Sequence, residues 1–228
     1  MELIHAIGRP RDGLVVVTFE KANCTQVVET TFKKLGLLDA AKAHHPFVHN
    51  YRWDVYVRNT PPVTVRDLRT AKRAGCHVLK FVRDPIDRFG SIFSRYKKHG
   101  FRGFRAGLSI DEFLDQLERL NIRRFAPGAY ADGHLTTQRF WKERHDMYSE
   151  IINVERLRCP AFRMYLKAMY GLEFDPDFSS FHWERIDYDF TREQRRRILN
   201  VYKADRQYRF KAPAPGRHQP QAISGSFE

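Results

Sequence analysis

Residues 13–26 read GLVVVTFEKANCTQ, and the fold class depends on this stretch. Residues 13–19 are apolar and rich in β-branched side chains, which predicts a short buried strand. Residues 25–37 then repeat apolar side chains at the spacing of one helix face and include Gly36, which predicts a helix that ends there. A buried strand that a polar loop joins to a helix is typical of an α/β protein.

The same alternation of strand and helix continues along the chain. Short apolar runs at residues 78–82 (VLKFV) and 151–154 (IINV) predict two further strands. Helices are predicted at residues 64–74, 85–98, 109–120 and 161–170, and in a basic segment after Thr191. Residues 43–63, which are rich in His, Asn and Pro, are predicted to be irregular. The alternation favours a central parallel sheet flanked by helices.

The bulk properties fit a single domain of this kind. The chain has 228 residues, of which 42% are hydrophobic, and this suits one globular core. Residues 211–228 are rich in Pro, Gly and Ser and are expected to form a flexible C-terminal tail, which leaves residues 1–210 as the domain. The chain has no apolar run of the ~18 residues that cross a membrane, and its start lacks the apolar stretch of a signal peptide. We therefore expect a cytoplasmic protein without a membrane span.

Charge and cysteine content narrow the expected partners. The net charge of +13 predicts an anionic partner, which leaves nucleic acid, an anionic membrane surface or a ligand rich in phosphate or sulfate. The three cysteines are far apart and show neither metal-binding spacing nor a disulfide framework. This pattern fits a reducing compartment.

The polar loop at residues 20–26 (EKANCTQ) suits an anion. A turn from a strand into a helix directs backbone N–H groups to one point, at the positive end of the helix dipole. Lys21 adds a charge and Thr25 or Gln26 a side-chain donor, while the same dipole is expected to lower the pKa of Cys24. The loop has no glycine and lacks the Walker A ending, which argues against hydrolysis of ATP or GTP. The alternative is an ordinary turn with a solvated lysine.

A second candidate anion site follows the second predicted strand, at residues 83–91 (RDPIDRFGS). Arg83 lies just past a buried strand, at the sheet edge where open α/β sheets bind ligands, and its planar fork suits a phosphate. Ser91 lies two helical turns later and is expected to face the same ligand. Arg88 is expected to pair with a nearby aspartate to hold the turn. The alternative is a surface cluster of ion pairs on a capped helix.

The two segments together resemble the PAPS-dependent sulfotransferases, where PAPS is 3′-phosphoadenosine-5′-phosphosulfate, and in particular the branch that contains the carbohydrate sulfotransferases and their bacterial relatives. The loop EKANCTQ is similar to that family's 5′-phosphosulfate loop, Pro-Lys-x-Gly/Ala-Cys-Thr-Ser/Asn. Residues 81–96 (FVRDPIDRFGSIFSRY) are similar to its 3′-phosphate motif, Arg-Asp-Pro-x-x-Arg-x-x-Ser. Weaker similarities lie at residues 134–138 (HLTTQ), 154–155 and 202–205, with Tyr208.

This resemblance implies a single P-loop-like domain that moves a sulfuryl group from PAPS to an acceptor hydroxyl and releases PAP, with no metal required. It implies that Lys21 stabilises the leaving phosphate and that Arg83 and Ser91 bind the 3′-phosphate. The residues implied for the 5′-phosphosulfate are Lys21, Ala22, Asn23, Cys24, Thr25 and Gln26.

Three residues of the first loop depart from the family pattern. Glu20 replaces proline, and its carboxylate would repel the phosphosulfate if it pointed at it. Asn23 replaces a small residue, but asparagine tolerates a left-handed backbone and so can keep the loop shape. Gln26 replaces Ser or Asn and still offers a donor.

The family's catalytic base, a histidine or glutamate, lies between the two phosphate motifs. Here the candidates are His44, His45 and His49; His49 is preferred because the apolar pair before it can anchor the segment, and His45 is second. The resemblance implies an acceptor hydroxyl, which an anionic glycan, a peptide, a lipid or a small molecule could supply, and His134 and Gln138 are the residues expected to contact the acceptor. A purely structural role for His134 is equally compatible with the sequence.

Three alternatives compete with this assignment. Residues 96–105 (YKKHGFRGFR) mix basic and aromatic side chains, as a nucleic-acid-binding protein does, but no recognised nucleic-acid motif occurs. A P-loop-type small-molecule kinase would need ATP and Mg²⁺. A sulfotransferase fold that binds PAPS without catalysis is a third alternative, because of Glu20 and Gln26.

Overall fold

The computed structural model describes residues 4–100, 104–120, 134–140, 142–178 and 188–208. Within these residues the sheet has the strands β1 (Leu14–Val17), β2 (His77–Val82) and β3 (Glu150–Asn153), in the order β1-β2-β3. All pairing is parallel, with Val17 opposite Lys80 and Val82 opposite Asn153. The predicted class, α/β with a parallel sheet flanked by helices, is confirmed. The predicted tail at residues 211–228 lies outside the described residues.

Helices connect the strands and follow them. They are α1 (Cys24–Lys34), α2 (Leu38–His44), α3 (Val48–Tyr51), α4 (Val57–Asn59), α5 (Val65–Arg73), α6 (Pro85–His99), α7 (Ile110–Leu120), α8 (Pro160–Tyr170) and α9 (Arg192–Val201). Short 3-10 helices lie at Pro10–Asp12, His145–Met147, Val154–Arg158 and Lys203–Tyr208. None of the described helices is both long and apolar enough to cross a bilayer.

Both faces of the sheet are covered, which explains why its strands are almost continuously apolar. Val15, Val17 and Val78 pack on one face in a cluster with residues of α5. The alternate side chains, among them Val16 and Phe81, pack on the other face in a cluster that includes residues of α1 and α8. This alternation fixes the register of the strands and therefore where each strand ends.

A third apolar cluster joins α6, α7 and α9. It contains Phe89 and Phe93 of α6, Phe113 of α7 and Ile198 of α9, all almost fully buried. Arg197 of α9 adds ion pairs to three acidic side chains of α7. The cluster fixes α6 beside the sheet and so orients the face of α6 that carries Ser91.

The prediction that residues 43–63 are irregular is wrong. The chain is helical from α3 through a π-helical segment, Arg52–Tyr56, into α4. Val48, Arg52 and Tyr56 are buried at a spacing of four, and Val48 and Tyr56 pack in a cluster with Phe32 of α1. Tertiary burial therefore outweighs the modest helix propensity of this composition.

Candidate functional site

A cleft of about 1300 Å³ lies at the carboxyl ends of the three strands. Glu20 and Lys21 follow β1, Arg83 follows β2 and Glu155 follows β3, and all four residues line it. Open α/β sheets bind ligands at this edge. The two anion segments predicted from sequence therefore meet in one cavity.

The first loop has a tight backbone turn. The Ala22 N–H donates to the Phe19 carbonyl at 3.1 Å, and Lys21 (φ 63°) and Asn23 (φ 53°) are left-handed. The expected tolerance of Asn23 for this conformation is confirmed. Asn23 precedes α1 but does not cap it with its side chain, which donates to Gln26 Oε1 at 2.7 Å. The side chain of Asn23 thus leaves the first N–H groups of α1 to other acceptors.

Two groups of this loop that were expected to contact a phosphate, the Ala22 N–H and the Gln26 side chain, form hydrogen bonds within the protein instead. Ala22 is fully buried and does not line the cleft, so the expectation that it contacts a phosphate is corrected: its N–H closes the turn. Gln26 donates through Nε2 to the Asp175 carbonyl at 2.8 Å. Burial raises the pKa of the Cys24 thiol, against the expected lowering by the helix dipole. Lys21, Thr25 and the start of α1 are the parts of the loop best placed for an anion.

Arg83 links the second segment to the first. Its Nε donates to Glu155 Oε1 at 3.2 Å and its NH1 donates to the Lys21 carbonyl at 3.2 Å. Ser91 of α6 also lines the cleft, as predicted. The Arg83 guanidinium thus lies between the two segments and forms an ion pair with the Glu155 carboxylate.

Arg88 is a buried support of the first loop, with no exposed surface. Its Nε donates to the Glu20 carbonyl at 3.1 Å. NH1 donates to the Thr136 carbonyl at 2.6 Å and NH2 to the His134 carbonyl at 3.1 Å. The side chain therefore ties the loop of Glu20 to residues 134–136, a role the sequence did not indicate.

His49 lines the cleft and contacts the first loop. Its Nε2 lies 3.3 Å from Thr25 Oγ1, and its ring centroid lies 4.9 Å from that of Phe47. Burial, together with the smaller effects of Arg52, His134 and Lys21, lowers the pKa of His49 to about 3. The imidazole is therefore neutral at physiological pH.

The other predicted histidines differ from His49. His45 is exposed, does not line the cleft, and accepts through Nδ1 from the Phe47 N–H at 2.9 Å. His44 lies 3.6 Å from Asp54 in a partly exposed pair. His45 as a catalytic residue is therefore corrected: it caps a turn outside the cleft.

Of the two expected acceptor contacts, only His134 reaches the cleft. His134 Nε2 lies 3.3 Å from Arg95 NH1, and both residues line the cavity. Gln138 is fully buried, and its side-chain amide bonds to the main chain of Arg83. The expectation that Gln138 contacts the acceptor is therefore corrected to a supporting role.

Arg52 is a buried residue beside the cleft lining, next to Trp53 in the chain, that sequence reasoning missed. It is 5% exposed, its NH2 donates to the His5 carbonyl at 3.0 Å, and its guanidinium lies 4.9 Å from the Trp53 ring centroid. Burial lowers the pKa of Arg52, and the negative charge of Glu20 opposes this lowering by favouring the charged guanidinium. The positive charge of Arg52 offsets the negative charge of Glu20, which was expected to repel the phosphosulfate. The spacing of four with Val48 and Tyr56 was the available signal.

Comparisons with protein-family models, with curated proteins and with solved structures found no match to this chain. Within the described residues, no group of three or more His, Cys, Asp or Glu side chains is arranged to hold a metal ion.

Proposed function

We propose that this protein is a P-loop-like sulfotransferase that moves a sulfuryl group from PAPS to an acceptor hydroxyl. The observation that carries this proposal is the meeting of Lys21, Arg83, Ser91 and His49 in one cleft at the sheet edge. These residues come from three separate parts of the chain, and each is the type that the resemblance requires.

The cleft fits a nucleotide with phosphates at both ends. The start of α1, with Lys21 and Thr25, suits the 5′-phosphosulfate because helix N–H groups and a lysine favour an anion. Arg83 and Ser91 suit the 3′-phosphate, since a guanidinium binds phosphate through two parallel N–H groups. Glu155 shares the charge of Arg83 at 3.2 Å, and a bound phosphate would compete for that guanidinium.

His49 fits the role of the base that takes the acceptor's proton. A base must be neutral before it accepts a proton, and His49 is neutral because its pKa lies near 3. Bound phosphates oppose the positive charges of Arg52 and Lys21, so donor binding acts against the part of the lowering of the His49 pKa that these charges cause. The contact of His49 with Thr25 holds the imidazole beside the start of α1.

The transfer step follows from these positions. As the acceptor O–H gives its proton to His49, the acceptor oxygen forms a bond to sulfur, and the bond from sulfur to the 5′-phosphate oxygen breaks. That oxygen leaves with the electron pair on PAP, and Lys21 stabilises the added negative charge. Fixed positions of donor, acceptor and base supply the rest of the rate.

The cleft has room for an acceptor beside the donor. Its volume of about 1300 Å³ exceeds the roughly 300–1,000 Å³ of ordinary ligand pockets. Phe47 and Trp53 both line the cleft and keep 42% and 41% of their surface exposed, and the Phe47 ring lies 4.9 Å from that of His49. Exposed aromatic faces next to the base suit a ring-bearing hydroxyl compound, and Arg95 and Arg195 in the lining are compatible with an anionic glycan.

The test is a transfer assay with radiolabelled PAPS against a panel of sugar, phenol and peptide hydroxyls in excess EDTA. Wild type is expected to transfer label, and His49→Gln is expected to lose about 100-fold in rate. His45→Gln is the matched control, since this nearby histidine lies outside the cleft, and it is expected to retain activity. Mg²⁺-dependent transfer of phosphate from ATP would support the small-molecule kinase instead. Full activity of His49→Gln would show that His49 is not the base.

A further inference from the structure

Gln138, which does not reach the cleft, holds the peptide of Arg83. Its Oε1 accepts from the Arg83 N–H at 2.8 Å, and its Nε2 donates to the Arg83 carbonyl at 2.7 Å. The pairing of β2 with β3 ends one residue earlier, at Val82 and Asn153. The side-chain amide of Gln138 therefore holds the main chain on both sides of the Arg83 Cα atom, directly beyond the end of the strand.

Asp205 of the last 3-10 helix holds Gln138 in turn. Its Oδ1 accepts from the Gln138 N–H at 2.7 Å, and its Oδ2 lies 3.3 Å from Gln138 Nε2. The Gln138 carbonyl also accepts from the Tyr208 hydroxyl at 2.9 Å. Gln138 and Asp205 have no exposed surface, so a loss of the bond from the Gln138 N–H to Asp205 leaves a buried polar group without a partner.

Lys80 anchors this arrangement to the sheet. It is fully buried in β2, and its Nζ lies 2.7 Å and 2.6 Å from the two carboxylate oxygens of Glu143 and 2.6 Å from the Tyr208 hydroxyl. Aromatic rings surround the ammonium at 4.7 to 5.3 Å, from Phe19, Phe140, Tyr148 and Tyr208. A buried ion pair is tolerated only with such full bonding, so the C-terminal segment has a fixed position on β2.

We propose that Asp205 and Gln138 are positioning residues for recognition of the 3′-phosphate: they orient the peptide of Arg83 and so aim its guanidinium into the cleft. This inference rests on the proposed role of Arg83. A guanidinium binds phosphate through a planar fork, so a small rotation of its peptide weakens the bond more than it would for a lysine. The two contacts of Arg83, to Glu155 and to the Lys21 carbonyl, are both at 3.2 Å and do not themselves fix the main chain.

Asp205→Asn tests this role without a gross change of volume. Asparagine keeps one oxygen for the Gln138 N–H but places an NH₂ group opposite Gln138 Nε2, which is also a donor. The affinities for PAP and for 5′-AMP, which lacks the 3′-phosphate, are measured by calorimetry. Asp205→Asn is expected to lose about tenfold for PAP and less than about threefold for 5′-AMP. An unchanged preference for PAP over 5′-AMP would overturn the positioning role.

Arg197→Gln is the matched control. Arg197 ties α9 to the acidic side chains of α7, so its loss loosens the C-terminal part of the chain. We expect this variant to lower the melting temperature and to keep the preference for PAP. If it lost the preference as Asp205→Asn does, general loosening would explain both results and the positioning role would be wrong.

A ligand-free measurement separates this inference from the proposed function. The NMR signal of the Arg83 Nε–H group, which donates to Glu155, is expected to shift in Asp205→Asn and to stay in place in Arg197→Gln. Gln138→Met, which removes both bonds to Arg83 at similar volume, gives the same reading if Asp205→Asn does not fold. An unmoved signal contradicts the positioning role. A shifted signal in a protein that binds no PAP supports the orientation of Arg83 and rejects the sulfotransferase assignment.

Discussion

The two segments that form the cleft are supported in opposite ways. The loop at residues 20–26 has the left-handed residues Lys21 and Asn23, and most of its side chains keep some exposure. The segment at residues 83–91 begins directly at the end of β2, and the buried Gln138 holds its first peptide. Arg83, the proposed phosphate-binding residue, therefore has its main chain held by a buried side chain. Lys21, the proposed catalytic residue, lies on a turn whose backbone is held by residues of the other segment.

Side chains of the second segment hold the backbone of the first. Arg83 donates to the Lys21 carbonyl and Arg88 to the Glu20 carbonyl, so two arginines of the second segment hold the backbone of the first. We therefore expect the loss of Arg88, which holds the Glu20 carbonyl from a fully buried position, to disturb both proposed phosphate sites. Changes in the side chains of the first loop should act on the 5′ end alone.

Lys21→Ala should give the largest effect. Loss of the positive charge at the leaving oxygen is expected to lower the transfer rate about 100- to 1,000-fold, while PAP affinity falls by no more than about tenfold. The measurement is single-turnover transfer from PAPS beside PAP calorimetry. Lys98→Ala, an exposed lysine of α6 outside the cleft lining, is the control and should be active. An unchanged rate in Lys21→Ala would place the catalytic charge elsewhere.

His49 should make the stability depend on pH. Its pKa in the folded chain is about 3, whereas the unfolded histidine titrates near 6.5, so the unfolded state binds more protons between these values. Stability is therefore full at higher pH and is lost as the pH falls below the unfolded pKa. Between about pH 8 and pH 5, wild type should lose about 2 kcal/mol more than His49→Gln in denaturant unfolding. Equal losses would show that His49 is not held neutral.

Arg83→Lys should reduce binding more than catalysis. Lysine keeps the charge but loses the planar fork, so the affinity for PAP is expected to fall about tenfold, with little change for 5′-AMP. The rate at saturating PAPS should stay within about threefold of wild type, because Lys21 and His49 are intact. A large fall in that rate with normal affinity would reverse the division of roles between the segments.

Glu20→Gln should have the smallest effect. Removal of one negative charge from the cleft wall is expected to raise the affinity for PAP about two- to fivefold at low salt, with a smaller gain at high salt. The affinity is measured by calorimetry at both ionic strengths. Weaker binding would mean that the carboxylate serves the site through Arg52 rather than opposing the phosphates.

The sequence predicted what depends on local pattern. The three strands, the capped helices and the two strand-to-helix turns follow from apolar runs, caps and turn residues, and strand ends in a parallel sheet meet at one edge. Predictions from the sequence failed where contacts between residues far apart in the chain determine the local structure. Val48 and Tyr56 lie in a helical segment that packs on α1, and the buried Gln138 donates its N–H to Asp205, far along the chain. His49 could be preferred over His45, but only the fold shows that one faces the cleft and the other does not.

The most direct test of the sulfotransferase assignment is calorimetric titration of the full chain with PAP, with 5′-AMP as the comparison. We expect saturable binding of one PAP per chain at micromolar affinity, at least about tenfold weaker binding of 5′-AMP, and a rise in melting temperature with PAP. No saturable binding of PAP up to millimolar concentration would contradict the assignment, whatever the cleft binds instead.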